Sequence, residues 1–172
     1  MKPESGFTLI EIMVTVAIVG VMMSIAIPNY LQWQIRNNLH QTTAEVATQL
    51  TRARMVAMNR NRSVDVTIED ETTGAPLNMR RVKVTGVLSS TAALPTPTVV
   101  LSKTIDYFGT TVAGGAVTMT FSSMGQRTSG GTGGQNVGIC NLDKLQYTVK
   151  VLPMGKVDWE PKQEPGATPC PL

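Results

Sequence analysis

The stretch from Phe7 to Ile27 constrains this chain more than any other. It holds 21 residues, 16 of them Phe, Leu, Ile, Val, Met or Ala, interrupted by Thr8, Glu11, Thr15, Gly20 and Ser24. A helix of that length rises about 30 Å, the thickness of a bilayer core. A buried core helix would show a polar face, and this run shows none. A secretory signal peptide would have a shorter apolar region followed by a small-x-small cleavage site. The residues that follow, Pro28-Asn29-Tyr30-Leu31-Gln32-Trp33, do not form one. A retained membrane helix fits the physics best. Glu11 is then anomalous. An acid deep in hydrocarbon costs roughly 2.5–3.5 kcal/mol, so it needs a partner or a place near the wet surface.

After Pro28 the pattern becomes amphipathic. Leu31, Ile35, Leu39, Thr43, Val46, Leu50, Ala53 and Ala57 recur every three or four residues. Gln34, Arg36, Asn37, Gln41, Glu45, Gln49, Arg52 and Arg54 form the polar face. The spacing predicts a helix to about Asn59, with its apolar stripe packed on a sheet. Gly20 and Pro28 are weak points, because Gly costs about 1 kcal/mol relative to Ala and Pro removes an amide donor.

Alternating segments follow: Ser63–Glu69, Met79–Gly86, Gly115–Ser123, Leu145–Pro153 and Gly155–Glu160. Pro-Met-Gly-Lys-Val reads as a tight turn between the last two. No second helix intervenes, so antiparallel hairpins are expected. The fold class is therefore α+β, a long N-terminal helix packed on a C-terminal antiparallel β-sheet domain. Thr91–Val100, with two prolines, reads as a loop. Thr128–Gly138, with five glycines, reads as a hairpin tip; it lacks the Gly-Lys-Ser/Thr of a phosphate-binding loop.

Composition narrows the function. The net charge of +3 is too small to imply a nucleic-acid partner. Arg52, Arg54, Arg60 and Arg62 form a basic cluster that suits a solvated helix end; phosphate contact is the sharper alternative, but no aromatic residues interleave. His40 reads as a partly buried polar residue rather than a ligand. Glu69, Asp70 and Glu71 read as a solvated run in a loop. No nucleophile–base signature is present, so no enzyme activity and no cofactor or metal is expected. Cys140 and Cys170 read as one disulfide in an exported domain, or as two unrelated thiols in the cytosol.

Ser5-Gly6-Phe7-Thr8-Leu9-Ile10-Glu11 and the apolar run behind it resemble the N-terminus of class III prepilin-like proteins, the type IV pilins and type II secretion pseudopilins. The resemblance implies a leader of residues 1–6, cleavage by a prepilin peptidase between Gly6 and Phe7, and methylation of Phe7. It makes residues 7–28 a transmembrane and filament-core helix and residues 29–60 its amphipathic half. Residues 61–172 become a β-rich head. It gives Glu11 the N-terminal amine of a neighbouring subunit as partner, and it implies that Gly20–Pro28 partly unwinds in the filament. Carboxylate and ammonium are each costly in low dielectric and much less so together.

Internal stretches narrow the resemblance. Leu50–Ile68, with Ala53, Arg54 and Ala57, is similar to the helix-to-strand passage of the GspH/FimT/FimU branch. Phe121 with Gly125, and Gly155 in the last hairpin, match the same branch. It implies a minor pilin or minor pseudopilin that primes assembly from the tip of a filament. Its partners are then other minor and major pilins. It would sit in the bacterial inner membrane with a periplasmic head and later in the pilus. Some members bind DNA through Gly-Arg-x-Arg at that hairpin, but here Gly155-Lys156-Val157-Asp158 sets an acid where the second arginine belongs, which speaks against nucleic acid. The Pro-rich tail is most like that of FimU-type minor pilins. The resemblance also implies a Cys140–Cys170 bridge that holds the tail, worth about 3–4 kcal/mol if unstrained.

Overall fold

The computed structural model describes residues 7–71, 76–89, 96–129, 134–141, 145–160 and 170. The leader with Gly6, and residues 161–169 of the tail, lie outside the described residues. One helix, α1, runs Leu9–Arg60. The chain divides into two compact units, residues 1–34 and 35–172.

The first unit is helix. Thr8 caps it: the Glu11 N–H reaches the Thr8 carbonyl at 3.1 Å and Thr8 Oγ1 at 3.4 Å. The helix continues through Gly20 and Pro28, although Pro28 has no N–H to give to the ladder. The two hydroxyls further along turn back into the helix, Thr15 to the Ile12 carbonyl at 2.8 Å and Ser24 to the Val21 carbonyl at 2.7 Å. These two hydroxyls therefore satisfy themselves, as an apolar surrounding demands. Every residue from Phe7 to Gln34 is exposed. α1 is long and apolar enough to cross a membrane by length and composition. Tyr30 and Trp33 close the apolar run with their rings 5.8 Å apart.

The second unit has its own core. Leu39, Thr42, Thr43, Val46, Ala47, Gln49, Leu50, Ala53 and Ala57 are the buried positions of α1. The stripe therefore begins at Leu39: Leu31 is exposed and Ile35 only half-buried. Gln49, expected on the polar face, is buried and donates from Nε2 to Glu45 Oε1 at 2.7 Å. The helix ends on Asn61, whose φ of 47° is left-handed. Arg62 N–H bonds back to the Ala57 carbonyl at 3.1 Å and Asn61 N–H to that of Met58 at 3.2 Å, which satisfies the last carbonyls.

Eight strands follow among the described residues: β1 (Val64–Asp70), β2 (Val82–Leu88), β3 (Thr98–Thr104), β4 (Thr110–Val112), β5 (Val117–Phe121), β6 (Gln135–Asn141), β7 (Gln146–Val151) and β8 (Val157–Glu160). All ladders between them are antiparallel. They form two sheets, ordered β3-β2-β1-β5 and β4-β6-β7-β8, where the sequence reading expects one. The five expected strands are all present, with ends shifted by at most three residues. β3, β4 and β6 are additions. β3 starts inside the stretch read as a proline loop and β6 inside the one read as a glycine tip. β3 is an outer strand with mostly exposed side chains, and β6 is buried from Val137 to Asn141; neither shows the alternation that marks a half-buried strand. Leu50, Val66, Val84, Met119, Phe121, Ile139 and Val149 are fully buried and belong to one core.

Asp70 binds the two sheets together. Its Oδ1 accepts from the Val112 N–H at 2.8 Å and its Oδ2 from the Thr111 hydroxyl. The expectation that Glu69–Glu71 is a solvated loop run is corrected here: Glu69 and Asp70 end β1. Glu71 accepts from Thr104 Oγ1 at 2.7 Å and pairs with Arg81 at 2.8 Å.

Candidate functional site

Of the residues expected to carry processing and assembly, Gly6 lies outside the described residues, Phe7 just precedes α1 and Glu11 lies in its first turn. Phe7 precedes the cap and is exposed. Glu11 sits in the first turn, third residue of the helix, with its carboxylate near the positive end of the helix dipole. Phe7, Glu11, Ile12 and Thr15 line a shallow, nearly apolar hollow of about 140 Å³. Thr8 is the residue that sequence reading overlooked. Thr8-Leu9-Ile10-Glu11 has the spacing of a capping box, so the signal was present. Gly20 and Pro28 lie inside the continuous helix, and nothing comes within 4 Å of where a Cβ on Gly20 would sit.

A second constellation joins three branch-matching positions that are far apart in sequence. Arg54 Nε donates to the Gly125 carbonyl at 2.9 Å. A Cβ on Gly155 would lie 1.8 Å from that same carbonyl oxygen and 3.0 Å from Arg54 Nε. Gly125 and Gly155 have φ of 74° and 76°, a region that side chains disfavour. Each closes a tight turn, with Gly125 N–H on the Ser122 carbonyl and Gly155 N–H on that of Leu152, both at 2.8 Å. One guanidinium thus ties α1 to the turn after β5, and Gly155 of the β7–β8 hairpin packs against that same carbonyl. The reason for arginine and two glycines at these positions is packing across three elements.

The basic cluster divides accordingly. Arg54 is committed to Gly125, and Arg62 donates to the Ser89 carbonyl. In the last hairpin Lys156 Nζ lies 3.0 Å from Asp158 Oδ2, so the lysine charge is met within the hairpin. His40 is exposed rather than partly buried. Its ring stands edge-on to Trp159 at 5.0 Å and to Tyr147 at 6.3 Å, an aromatic contact between α1 and the second sheet. Among the described residues no cluster of three or more His, Cys, Asp or Glu could hold a metal.

Cys140 and Cys170 are joined in a disulfide, with Cα atoms 5.8 Å apart. Cys140 is fully buried in β6. Of the two readings open at the sequence level, the bridge is the one the structure contains.

Comparison with known proteins follows the same division. Residues 1–27 match the prokaryotic N-terminal methylation motif, and residues 42–155 match the family described as Type II transport protein GspH. A fimbrial protein of Pseudomonas aeruginosa is 43% identical over 53 residues, 31% of this chain and 34% of that protein. A probable minor fimbrial protein of Dichelobacter nodosus is 38% identical over 73 residues, 42% of this chain and 39% of that one. The chain thus spans between a third and two-fifths of these relatives. The crystal structure of the P. aeruginosa type IV minor pilin FimU superposes with a TM-score of 0.50 at 14% identity, over 74% of this chain and 92% of that one, a likeness of fold. With the methylation motif in front, a matching domain over most of the head and a pilin fold over 74% of its length, the chain belongs to the GspH family, the GspH/FimT/FimU branch of the type IV pilin-like proteins.

Proposed function

We propose that this chain is a minor type IV pilin that primes assembly and occupies a place at or near the pilus tip. Prepilin peptidase removes residues 1–6 and methylates Phe7. Residues 7–28 anchor the subunit in the inner membrane and then enter the filament core. Residues 29–60 are the amphipathic half of the helix, and residues 61–172 form the periplasmic head. Its partners are other minor and major pilins. The observation that carries this reading is the exposed apolar half of α1, with one acid in its first turn and no other charge before Arg36. Such a surface needs lipid or other subunits to cover it. An amine created by cleavage behind Gly6 in a neighbouring subunit is the counter-charge Glu11 lacks within its own apolar run. Gly20 and Pro28 are where the helix yields on leaving the membrane.

The test is Glu11→Ala. The variant is expected in membranes at the normal level, with immunogold labelling of filaments reduced by about tenfold or more, since one partner of an ion pair in low dielectric is gone. Normal incorporation would sink the proposal.

A second reading is a minor pseudopilin of a type II secretion system, favoured by the match of residues 42–155 to the GspH family. Deleting the gene and measuring surface filaments and secreted enzymes in parallel separates the two. Loss of filaments supports the pilin; loss of secretion with intact filaments supports the pseudopilin.

A further inference from the structure

Met58 lies one helical turn after Arg54, on the same face of α1. A methyl built on Gly125 would lie 2.7 Å from Met58 Sδ, 3.1 Å from its Cγ and 3.0 Å from Arg54 Nε. The thioether is therefore packed against Gly125, beside the guanidinium that donates to the Gly125 carbonyl at 2.9 Å. Met58 is nevertheless 40% exposed, so a small solute reaches it from solvent. The residues before the two touching glycines are also methionines, Met124 and Met154, each 77% exposed. They stand out from their turns, whereas Met58 is lodged in the contact. The head also carries the Cys140–Cys170 disulfide, and disulfides persist where the surroundings are oxidising.

We propose that Met58 is a site of reversible oxidation, and that its sulfoxide draws Arg54 away from Gly125. The oxidant is a peroxide. A sulfur lone pair takes one peroxide oxygen, the O–O bond breaks, and the other oxygen leaves with both protons as water. The sulfur is oxidised by two electrons and the peroxide reduced by two. The product is polar where the thioether was apolar. Its oxygen is an acceptor one bond from the sulfur, beside the charged donor Arg54, and hydrogen bonds from a charged donor are the stronger kind. The sulfoxide thus competes with the Gly125 carbonyl for one guanidinium. The added oxygen also needs room, and the packing against Gly125 leaves none on that side. Both effects loosen the turn after β5, and with it Gly155, which packs on the same carbonyl. A methionine sulfoxide reductase reverses the step: two thiols become a disulfide and the oxygen leaves as water. Sulfoxides at Met124 and Met154 extend into solvent and leave the contact intact. The inference holds for a pilus and a secretion system alike.

The test exposes the full chain in detergent micelles to dilute hydrogen peroxide. Peptide mapping locates the added oxygens. Hydrogen exchange reads the Gly125 and Gly155 amides, which bond to the Ser122 and Leu152 carbonyls. Exchange at both is expected to rise about tenfold, the scale of one lost hydrogen bond, in proportion to the sulfoxide at Met58. It should fall again when pre-reduced methionine sulfoxide reductase is added in stoichiometric amount, which spares the Cys140–Cys170 bridge. Met58→Leu, a swap that keeps the volume, should hold exchange constant through the same treatment. Met124→Leu combined with Met154→Leu should respond as the parent chain does. Met58 left unoxidised while Met124 and Met154 convert, or converted with no change in exchange, overturns the proposal. So does an equal rise in Met58→Leu, or a rise that the reductase does not reverse.

Discussion

The two halves of α1 share one backbone and differ in what their side chains meet. From Phe7 to Gln34 no side chain is buried, although most are apolar. From Leu39 to Ala57 nine are buried against the two sheets of the head. Covering one large aliphatic side chain is worth about 1.5–3 kcal/mol, so the second half gains its stability within the chain. The first half can gain the same only from lipid or from other subunits. Helix propensity does not distinguish the halves; the presence of a partner surface does.

The sharpest way to break that comparison is to truncate one side chain in each region. Phe121→Ala removes a fully buried ring and is expected to destabilise the head by about 3–5 kcal/mol. Ile18→Ala, at a half-exposed position, should change head unfolding by less than about 0.5 kcal/mol. Denaturant titration of the micelle-solubilised chain measures both. Equal losses would mean that the halves are energetically coupled.

Reducing the Cys140–Cys170 bridge, which closes a sequence separation of 30, should cost the head about 3–4 kcal/mol in the same titration. The helical circular dichroism of the first half should not change. Two glycines extend the contrast. Gly155→Ala places a methyl against the Gly125 carbonyl at a left-handed φ and should cost roughly 3 kcal/mol. Gly20→Ala, in open space on a helix, should leave head unfolding unchanged and strengthen the helix by about 1 kcal/mol. The cap has the most local effect. Thr8→Val should fray the first turn at a cost of about 1 kcal/mol, read as faster amide exchange at Leu9–Glu11, with the head unaffected.

How far sequence reading reached differs between the same two regions. In the helix the signals are local. A long apolar run, a lone Glu11 and a three-to-four spacing from Leu31 onward each follow from neighbours in sequence; the helix forms as expected, but its stripe is buried only from Leu39 on. The head depends on distant pairing. β6 is buried without alternation from Val137 to Asn141 and contains glycine, so its pattern reads as a loop until β4 and β7 flank it. Gln49 lies on what looks like the polar face, yet it is buried and turns its amide to Glu45 one helical turn earlier. Asp70 reads as solvated because nothing near it in sequence announces Thr111 and Val112, some forty residues later, as its partners. Arg54, Gly125 and Gly155 were each legible as branch-matching positions. That they touch could be learned only from the fold.

The pilin reading rests on the first half of α1 being remade after synthesis and carried into a filament. Intact-mass analysis of the chain recovered from sheared surface filaments tests this most directly. The account predicts a mature chain that begins at Phe7 and carries one added methyl group at its amine. A chain in filaments that still begins at Met1, or a processed chain that never leaves the membrane fraction, would contradict it.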